Sequence, residues 1–311
     1  MSHDHAPTAT VDGALDRRLW AAAALNAAIT LAELVGGLVS GSLALLSDAA
    51  HNLSDVVAVV LALWARRLSR RPATIRHSYG FKRVEVLAAL LNALSLVGVT
   101  VLIAREAVDR LLHPQPVAQG IMLAVALVAL GANAGSVLLL RRHDGDDVNV
   151  RSAFLHMAQD ALASLTVVVA ALFAHTAAGP YVDPAAALLV GLVVLRSALS
   201  LAWQTLATIL EGTPGDVNIQ ELAERVSAAF APARLHHVHV WEIGPKQRLL
   251  TAHVSLGQDM DGRAIEAFLG RIKAFLHDEW DIDHATLEPE VAGCDEPALL
   301  GRWGPREGPA P

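Results

Sequence analysis

The sequence predicts a membrane domain of six transmembrane helices followed by a small α+β domain with the element order α-β-β-α-β. Three observations predict it. Six apolar stretches of about 20 residues, each long enough to cross the roughly 30 Å hydrocarbon core as a helix, fall within the first 211 of 311 residues. Hydrophobic residues make up 53% of the chain and charged residues only 18%, against roughly 25% charged in a soluble domain. Up to Glu211 there are 15 acidic and 15 basic residues, and after it 16 acidic and 9 basic, so the net charge of -7 resides in the C-terminal part. This composition argues against an ordinary cytosolic enzyme, and neither part is basic enough to favour nucleic acid as a partner.

The elements follow in order. Residues 1–16 lack a positive segment leading into an apolar run, so they read as a flexible cytosolic N-terminus rather than a cleavable signal peptide. The spans are expected near Leu19 to Val39, Leu43 to Ala65, Val84 to Val108, Val117 to Leu140, Ser152 to Ala174 and Asp183 to Leu206. Arg17 and Arg18, seven basic residues between the second and third spans, and Arg141, Arg142 and Arg151 lie on one side, against Arg105 and Arg110 on the other. The positive-inside rule then places both termini in the cytoplasm. Together these features define a transmembrane domain at 17–211.

Glu211-Gly212-Thr213-Pro214-Gly215 ends the last span. Beyond it, Asn218 to Phe230 reads as an amphipathic helix, Arg234 to Ile243 as a strand, and Gly244-Pro245 as a turn. Gln247 to Leu256 is a second strand, Arg263 to Trp280 a helix, and Asp283 to Glu290 a last strand. Such a 212–290 unit makes a two-layer domain with its helices on one sheet face. The Gly/Pro-rich residues 291–311 read as a disordered tail.

Chemistry is concentrated in histidines and carboxylates. The single cysteine, Cys294, excludes an intrachain disulfide framework and Cys-cluster metal sites, whereas there are 14 histidines. The second span holds His51 and Asp55, and the fifth holds His156 and Asp160. Each pair is spaced i,i+4 and so stacks on one helix face. Two such faces packed together would offer two imidazoles and two carboxylates, a set suited to tetrahedral Zn²⁺ or a similar divalent ion. The plainer alternative is that each His bonds its own Asp or sits at the membrane interface. Placing Asp at mid-span costs roughly 3 kcal/mol on insertion scales, so two matched pairs call for a compensating use. Histidine binds metal only when neutral, so cation binding releases protons and proton binding expels the cation. No Gly-Lys-Ser/Thr phosphate loop is present to support an ATP-driven pump.

The sequence resembles the cation diffusion facilitator family, bacterial zinc, cobalt and cadmium exporter branch. The likeness is carried by the run Gly41 to Asp55, by His77-Ser78-Tyr79-Gly80-Phe81, the His156/Asp160 segment, Val182-Asp183-Pro184, Leu210-Glu211-Gly212 and His239-Val240-Trp241, and covers roughly Arg17 to Glu290. The resemblance implies a six-span homodimer in a bacterial inner membrane with a ferredoxin-like, metallochaperone-like cytosolic domain. It further implies exchange of cytosolic Zn²⁺, or Cd²⁺ or Co²⁺, for outside protons, with no prosthetic group and no enzymatic activity. Carried residue by residue, it implies a transport site of His51, Asp55, His156 and Asp160. It also implies a cytosolic metal site at His239, His253 and His284, with Glu288 the nearest carboxylate, and it points to His77, where some relatives place a loop site.

Each secondary site has a structural alternative. Lys82 stands where many relatives of the branch have a second His, and His77 and Tyr79 could simply open the third span. The cytosolic histidines could be strand residues on a solvated face; by alternation, His237, His239 and Trp241 share one face of their strand. Asn92 and Asn133 are expected to bond neighbouring helices, Glu33 and Asp48 to line a wet path, and Glu85 to pair with Arg83. His3, His5, His143, Asp144, Asp146 and Asp147 could loosely gather cations. Two other functions would use the same ligands: an intramembrane metallohydrolase, for which the sequence lacks a His-Glu-x-x-His motif, and a membrane-anchored metal sensor responding to Zn²⁺, for which one span would suffice.

Overall fold

The computed structural model describes residues 26–141, 148–291 and 298–300, with the side chains at 136, 139–141 and 148–156 outside that description. His3, His5, Cys294 and the residues from His143 to Asp147 lie outside the described residues, as does most of the tail. The chain divides into two compact units, Met1–Leu61 with Leu91–Leu201, and Ala62–Leu90 with Ala202–Pro311.

The helices of the N-terminal two thirds are α1 (Asn26–Ser40), α2 (Leu43–Ser69), α3 (Arg83–Leu112), α4 (Gln119–Arg141), α5 (Val148–Phe173) and α6 (Gly179–Ile209). Among the described residues, α2, α3 and α6 are long and apolar enough to cross a membrane, and Asn26–Ser40, Gln119–Gly135 and Met157–Phe173 are shorter apolar helices. In the first unit Leu31, Leu102, Val128, Leu162 and Leu192 are exposed while Leu45, Met122, Val167 and Ala171 are buried. Apolar residues on both the inner and outer faces suit a helix whose outer solvent is lipid.

Small residues let these helices approach. A Cβ added at Gly36 would lie 2.8 Å from Val125 of α4, and one at Gly37 would lie 2.8 Å from Leu46 of α2, so glycine permits backbone-to-side-chain contact there. Polar residues set the ends. Asp183 of α6, buried, accepts from Ser42 Oγ at 2.5 Å, from the Leu43 amide at 2.8 Å and from the Ala44 amide at 3.3 Å. It therefore satisfies the open N–H groups at the start of α2, where a negative charge also complements the helix dipole. α6 begins at Gly179, a turn before the expected Asp183, and carries Pro184 within it.

In the second unit, the C-terminal elements are α7 (Ile219–Ala229), β1 (Arg234–Gly244), β2 (Gln247–Ser255), α8 (Gly262–Trp280) and β3 (Ile282–Glu290). They follow the expected order. Asn218 caps α7 by accepting from the Gln220 and Glu221 amides, Asp261 caps α8 from the Ala264 amide, and Asp281 ends α8 in the left-handed conformation. The sheet order is β1-β2-β3; β1 and β2 pair antiparallel, and α8 supplies the crossover that makes β2 and β3 parallel. Leu222, Val226, Val238, Val254, Ile272 and Leu276 form the core between helices and sheet.

One irregularity departs from simple alternation. β1 carries a bulge between His236 and His239, where His237 takes φ +49°. The amides of His237 and Val238 donate to the Ala298 and Leu299 carbonyls at 3.2 and 2.9 Å. In the segment Ala62–Leu90, Glu85 accepts from Ser69 Oγ and Arg83 pairs with Glu211 at 2.6 Å, so the expected Arg83–Glu85 pair is replaced by two longer-range partners.

Candidate functional site

The first cluster is built on α2. Asp48, His51, Asn52 and Asp55 stand at i, i+3, i+4 and i+7, which places them along one helix face. Opposite them α5 offers Asp160 and, one turn on, Ser164. His51 Nε2 lies 3.4 Å from Asp160 Oδ1, and both side chains are buried. Asp48 Oδ2 accepts from Ser164 Oγ at 3.1 Å, and Ser164 in turn accepts from Asn133 Nδ2 of α4 at 3.2 Å. Asn52 Nδ2 donates to Glu33 Oε2 of α1 at 2.8 Å. Asn92 Nδ2 of α3 donates to Ser54 Oγ at 3.1 Å. Asn92 and Asn133 thus bond neighbouring helices, as expected of amides in apolar surroundings.

Of the four residues expected to form a transport site, His51 and Asp160 are brought together across α2 and α5. Asp55 follows one turn after His51 and is half-buried. His156 lies on α5 one turn before Asp160, its side chain outside the described residues. Glu33 and Asp48, expected to line a wet path, are fully buried. Glu33–Asn52 and Asp48–Ser164–Asn133 were not legible, because sequence spacing speaks to one helix at a time.

A second cluster lies on the sheet of the C-terminal domain. His236 and His253 are cross-strand partners. Glu290 Oε1 is 2.7 Å from His253 Nδ1 and Glu290 Oε2 is 3.0 Å from His236 Nε2; Glu288 Oε2 is 3.6 Å from His253 Nε2. Ligand atoms of His236, His253 and Glu290 lie within 4.8 Å of one another, a two-nitrogen, one-oxygen set that could hold a zinc-like ion with one position to spare. His237 closes the group, its ring centroid 4.8 Å from that of His253 and 5.3 Å from that of His236. Burial is the main cause that lowers the His236 pKa, with Glu290 pulling the other way, and a neutral imidazole is the ligating form.

Among the cytosolic positions expected from the sequence, His253 is in this group, with Glu288 beside it. His239 pairs with Thr251, and His284 is exposed opposite Leu249, four rungs or roughly 13 Å along the strand from His253. Sequence reasoning missed His236 and Glu290. Strict alternation puts His236 on the Val238 and Val240 core face, and the bulge at His237 reverses that phase. The signal available in the sequence was the His236-His237 pair itself, two polar residues in succession inside an alternating strand.

His77 is exposed, forms a bridge with Thr74, and stacks its ring 4.6 Å from Phe81. Among the described residues the only group of three His, Cys, Asp or Glu with converging ligand atoms is the one on the sheet, so His77 has no such company.

The comparisons with known proteins bear on both clusters. The cation efflux transmembrane domain family matches residues 19–210, a stretch that contains the whole first cluster. The zinc transporter ZitB of Escherichia coli is 41% identical over 300 residues, covering 95% of this chain and 94% of its own length. The metal cation efflux system protein CzcD of Cupriavidus metallidurans is 35% identical and covers 96% of each chain. A cadmium, cobalt and zinc/H(+)-K(+) antiporter of Bacillus velezensis is 32% identical over 84% of this chain and 83% of its own. With a family match over most of the chain and relatives this similar across nearly all of it, the protein belongs to the cation efflux family, in the branch of the zinc, cadmium and cobalt exporters.

Proposed function

We propose that this protein is a secondary transporter that exports divalent metal cations, Zn²⁺ first and Cd²⁺ or Co²⁺ as alternatives, from the cytoplasm in exchange for protons. The observation that carries the proposal is the approach of His51 Nε2 to Asp160 Oδ1 at 3.4 Å, both side chains buried between two apolar helices. An imidazole and a carboxylate buried there are costly unless used. The membership in an efflux family and the transporters among its relatives support the same reading.

In this proposal His51, Asp55, His156 and Asp160 take the cation when the site faces the cytoplasm and give up protons to do so. When the site faces outward, protonation of the two histidines weakens the set and releases the ion. The movement is alternating access of a six-span bundle. The proposal includes a homodimer in a bacterial inner membrane with cytoplasmic termini and a ferredoxin-like cytosolic domain at 212–290. There, His236, His253 and Glu290 bind cytosolic cation, with His239 and His284 further along the same sheet.

The test is reconstitution in liposomes under an imposed pH gradient, with internal dyes for metal and for pH, offering Zn²⁺, Cd²⁺, Co²⁺ and Mn²⁺ in turn. Metal uptake with opposite proton movement, lost in Asp55→Ala and Asp160→Ala, is the expected result. Metal binding without flux under any gradient would overturn it in favour of a sensor.

A further inference from the structure

Cations gather at the C-terminal end of α2 with little to neutralise them. From Ala62 to Leu90 there are six arginines, one lysine and a single acid, Glu85. Glu85 accepts from Ser69 Oγ, and Arg83 pairs with Glu211. Arg66, Arg67, Arg70, Arg71 and Arg76 are all exposed, and among the described residues none of them forms an ion pair. The helix face that carries the first two is an outward one. Ala65 and Ser69 are buried, whereas Val59, Val60, Leu63 and Trp64 are each about 60% exposed. Arg66 follows Val59 and Leu63 at i+7 and i+3, and Arg67 follows Val60 and Leu63 at i+7 and i+4, so both continue the exposed apolar stripe. Where the outer solvent is lipid, the stripe ends with the hydrocarbon, and the next turn, about 5 Å further along the axis, stands among headgroups. The loop that follows adds an apolar tip. Thr74 and His77 exchange backbone hydrogen bonds of 3.0 Å, so Ile75 and Arg76 cap a tight hairpin, and Ile75 is fully exposed. Four residues of chain keep Ile75 within about 14 Å of Arg71. Gly80, at φ +72°, returns the chain so closely that a Cβ there would lie 3.5 Å from the Arg71 carbonyl oxygen. An exposed isoleucine beside an arginine matches the boundary between headgroups and acyl chains.

We propose that the end of α2 and this hairpin form a binding site for the phosphate headgroups of anionic phospholipids, with Arg66, Arg67, Arg70, Arg71 and Arg76 as the anion-binding side chains. Guanidinium suits this ligand, because its planar fork makes two parallel hydrogen bonds to a phosphate where an ammonium offers only a point charge. A zwitterionic headgroup carries its own cation and brings the cluster no net charge to attract. The site needs α2 in a bilayer and nothing of the exchange chemistry, so it goes beyond the transport reading and does not depend on it.

The test is native mass spectrometry of the full chain, delipidated in neutral detergent and titrated separately with phosphatidylglycerol and phosphatidylcholine, which counts both bound lipids and protein copies. Wild type is expected to bind phosphatidylglycerol at least about tenfold more tightly than phosphatidylcholine. Each cation beside an anionic surface is worth about fivefold in affinity, so the triple variant Arg66→Gln/Arg70→Gln/Arg71→Gln should erase that preference. Arg234→Gln/Arg263→Gln/Lys273→Gln removes the same charge from exposed positions of the C-terminal domain and should keep it. Should the first triple variant fail to fold, Arg76→Gln at the hairpin tip is expected to weaken phosphatidylglycerol binding about fivefold by itself, and unchanged binding overturns the proposal. Equal binding of the two lipids by wild type, or a preference lost equally in the C-terminal variant, also overturns it. So does a preference that survives in the first triple variant; if that variant changes the number of copies per particle instead, the arginines serve the acidic surface of a second chain.

Discussion

Individual side chains in this protein do their work by what they face across a helix or strand gap. His51 and Asp160 are expected to dominate transport: either His51→Ala or Asp160→Asn should weaken Zn²⁺ binding at least about tenfold and abolish flux, measured by equilibrium binding and by liposome uptake. Ser164 is a different kind of residue, since its hydroxyl donates to Asp48 and accepts from Asn133. Ser164→Ala leaves two buried polar groups short of a partner and is expected to lower thermal stability in detergent by about 1–3 kcal/mol. Away from the helices, Arg248 hydrogen-bonds Asp216 at 2.6 Å and lowers the Asp216 pKa from its ordinary value of 3.8. Because the folded value is the lower one, this pair contributes stability above the unfolded pKa and loses it as the pH falls through the folded one. Asp216→Asn should therefore reduce the steepness of acid unfolding below about pH 4, read by tryptophan fluorescence, and change stability at pH 7 by less than about 1 kcal/mol because Asp216 is exposed.

At the scale of elements, two joints deserve mutation. The start of α2 depends on Asp183 of α6, which accepts three hydrogen bonds there. Asp183→Ala is expected to lower thermal stability by about 2 kcal/mol and to cut transport, because α2 carries His51 and Asp55; Asp183→Asn, which keeps one acceptor oxygen, should retain more of both. The second joint is the β1 bulge. Deleting His237 should remove the bulge yet leave His236 opposite His253 on the same sheet face, so cation binding on the sheet is expected to stay within about threefold of wild type. His237→Gly suits the left-handed backbone and should keep the bulge and the binding. Calorimetric Zn²⁺ titration of the full chain, with Asp160→Asn added to silence the membrane cluster, checks both variants. Helix and strand limits in the C-terminal domain were legible to within a residue or so, since Asn218 and Asp261 are capping residues at the head of amphipathic runs. The bulge was not, because it is set by what β1 must pair with.

For the whole molecule, the single cysteine offers a direct test of topology. A membrane-impermeant maleimide should label Cys294 in inside-out vesicles and leave it unlabelled in intact cells, and the reverse pattern would invert the orientation read from Arg and Lys. The expected orientation, the apolar helices and the i,i+4 spacing of His51 with Asp55 and of His156 with Asp160 are all read from sequence. They depend on hydropathy, on charge beside a membrane and on the 3.6-residue period, properties that act within one segment. Tertiary structure alone decided that His51 meets Asp160, that Glu33 meets Asn52, that Asp183 caps α2, and that His236 joins His253 and Glu290. Each of these joins residues from different elements, and the distance between elements follows from how their surfaces pack, which no spacing along the chain encodes.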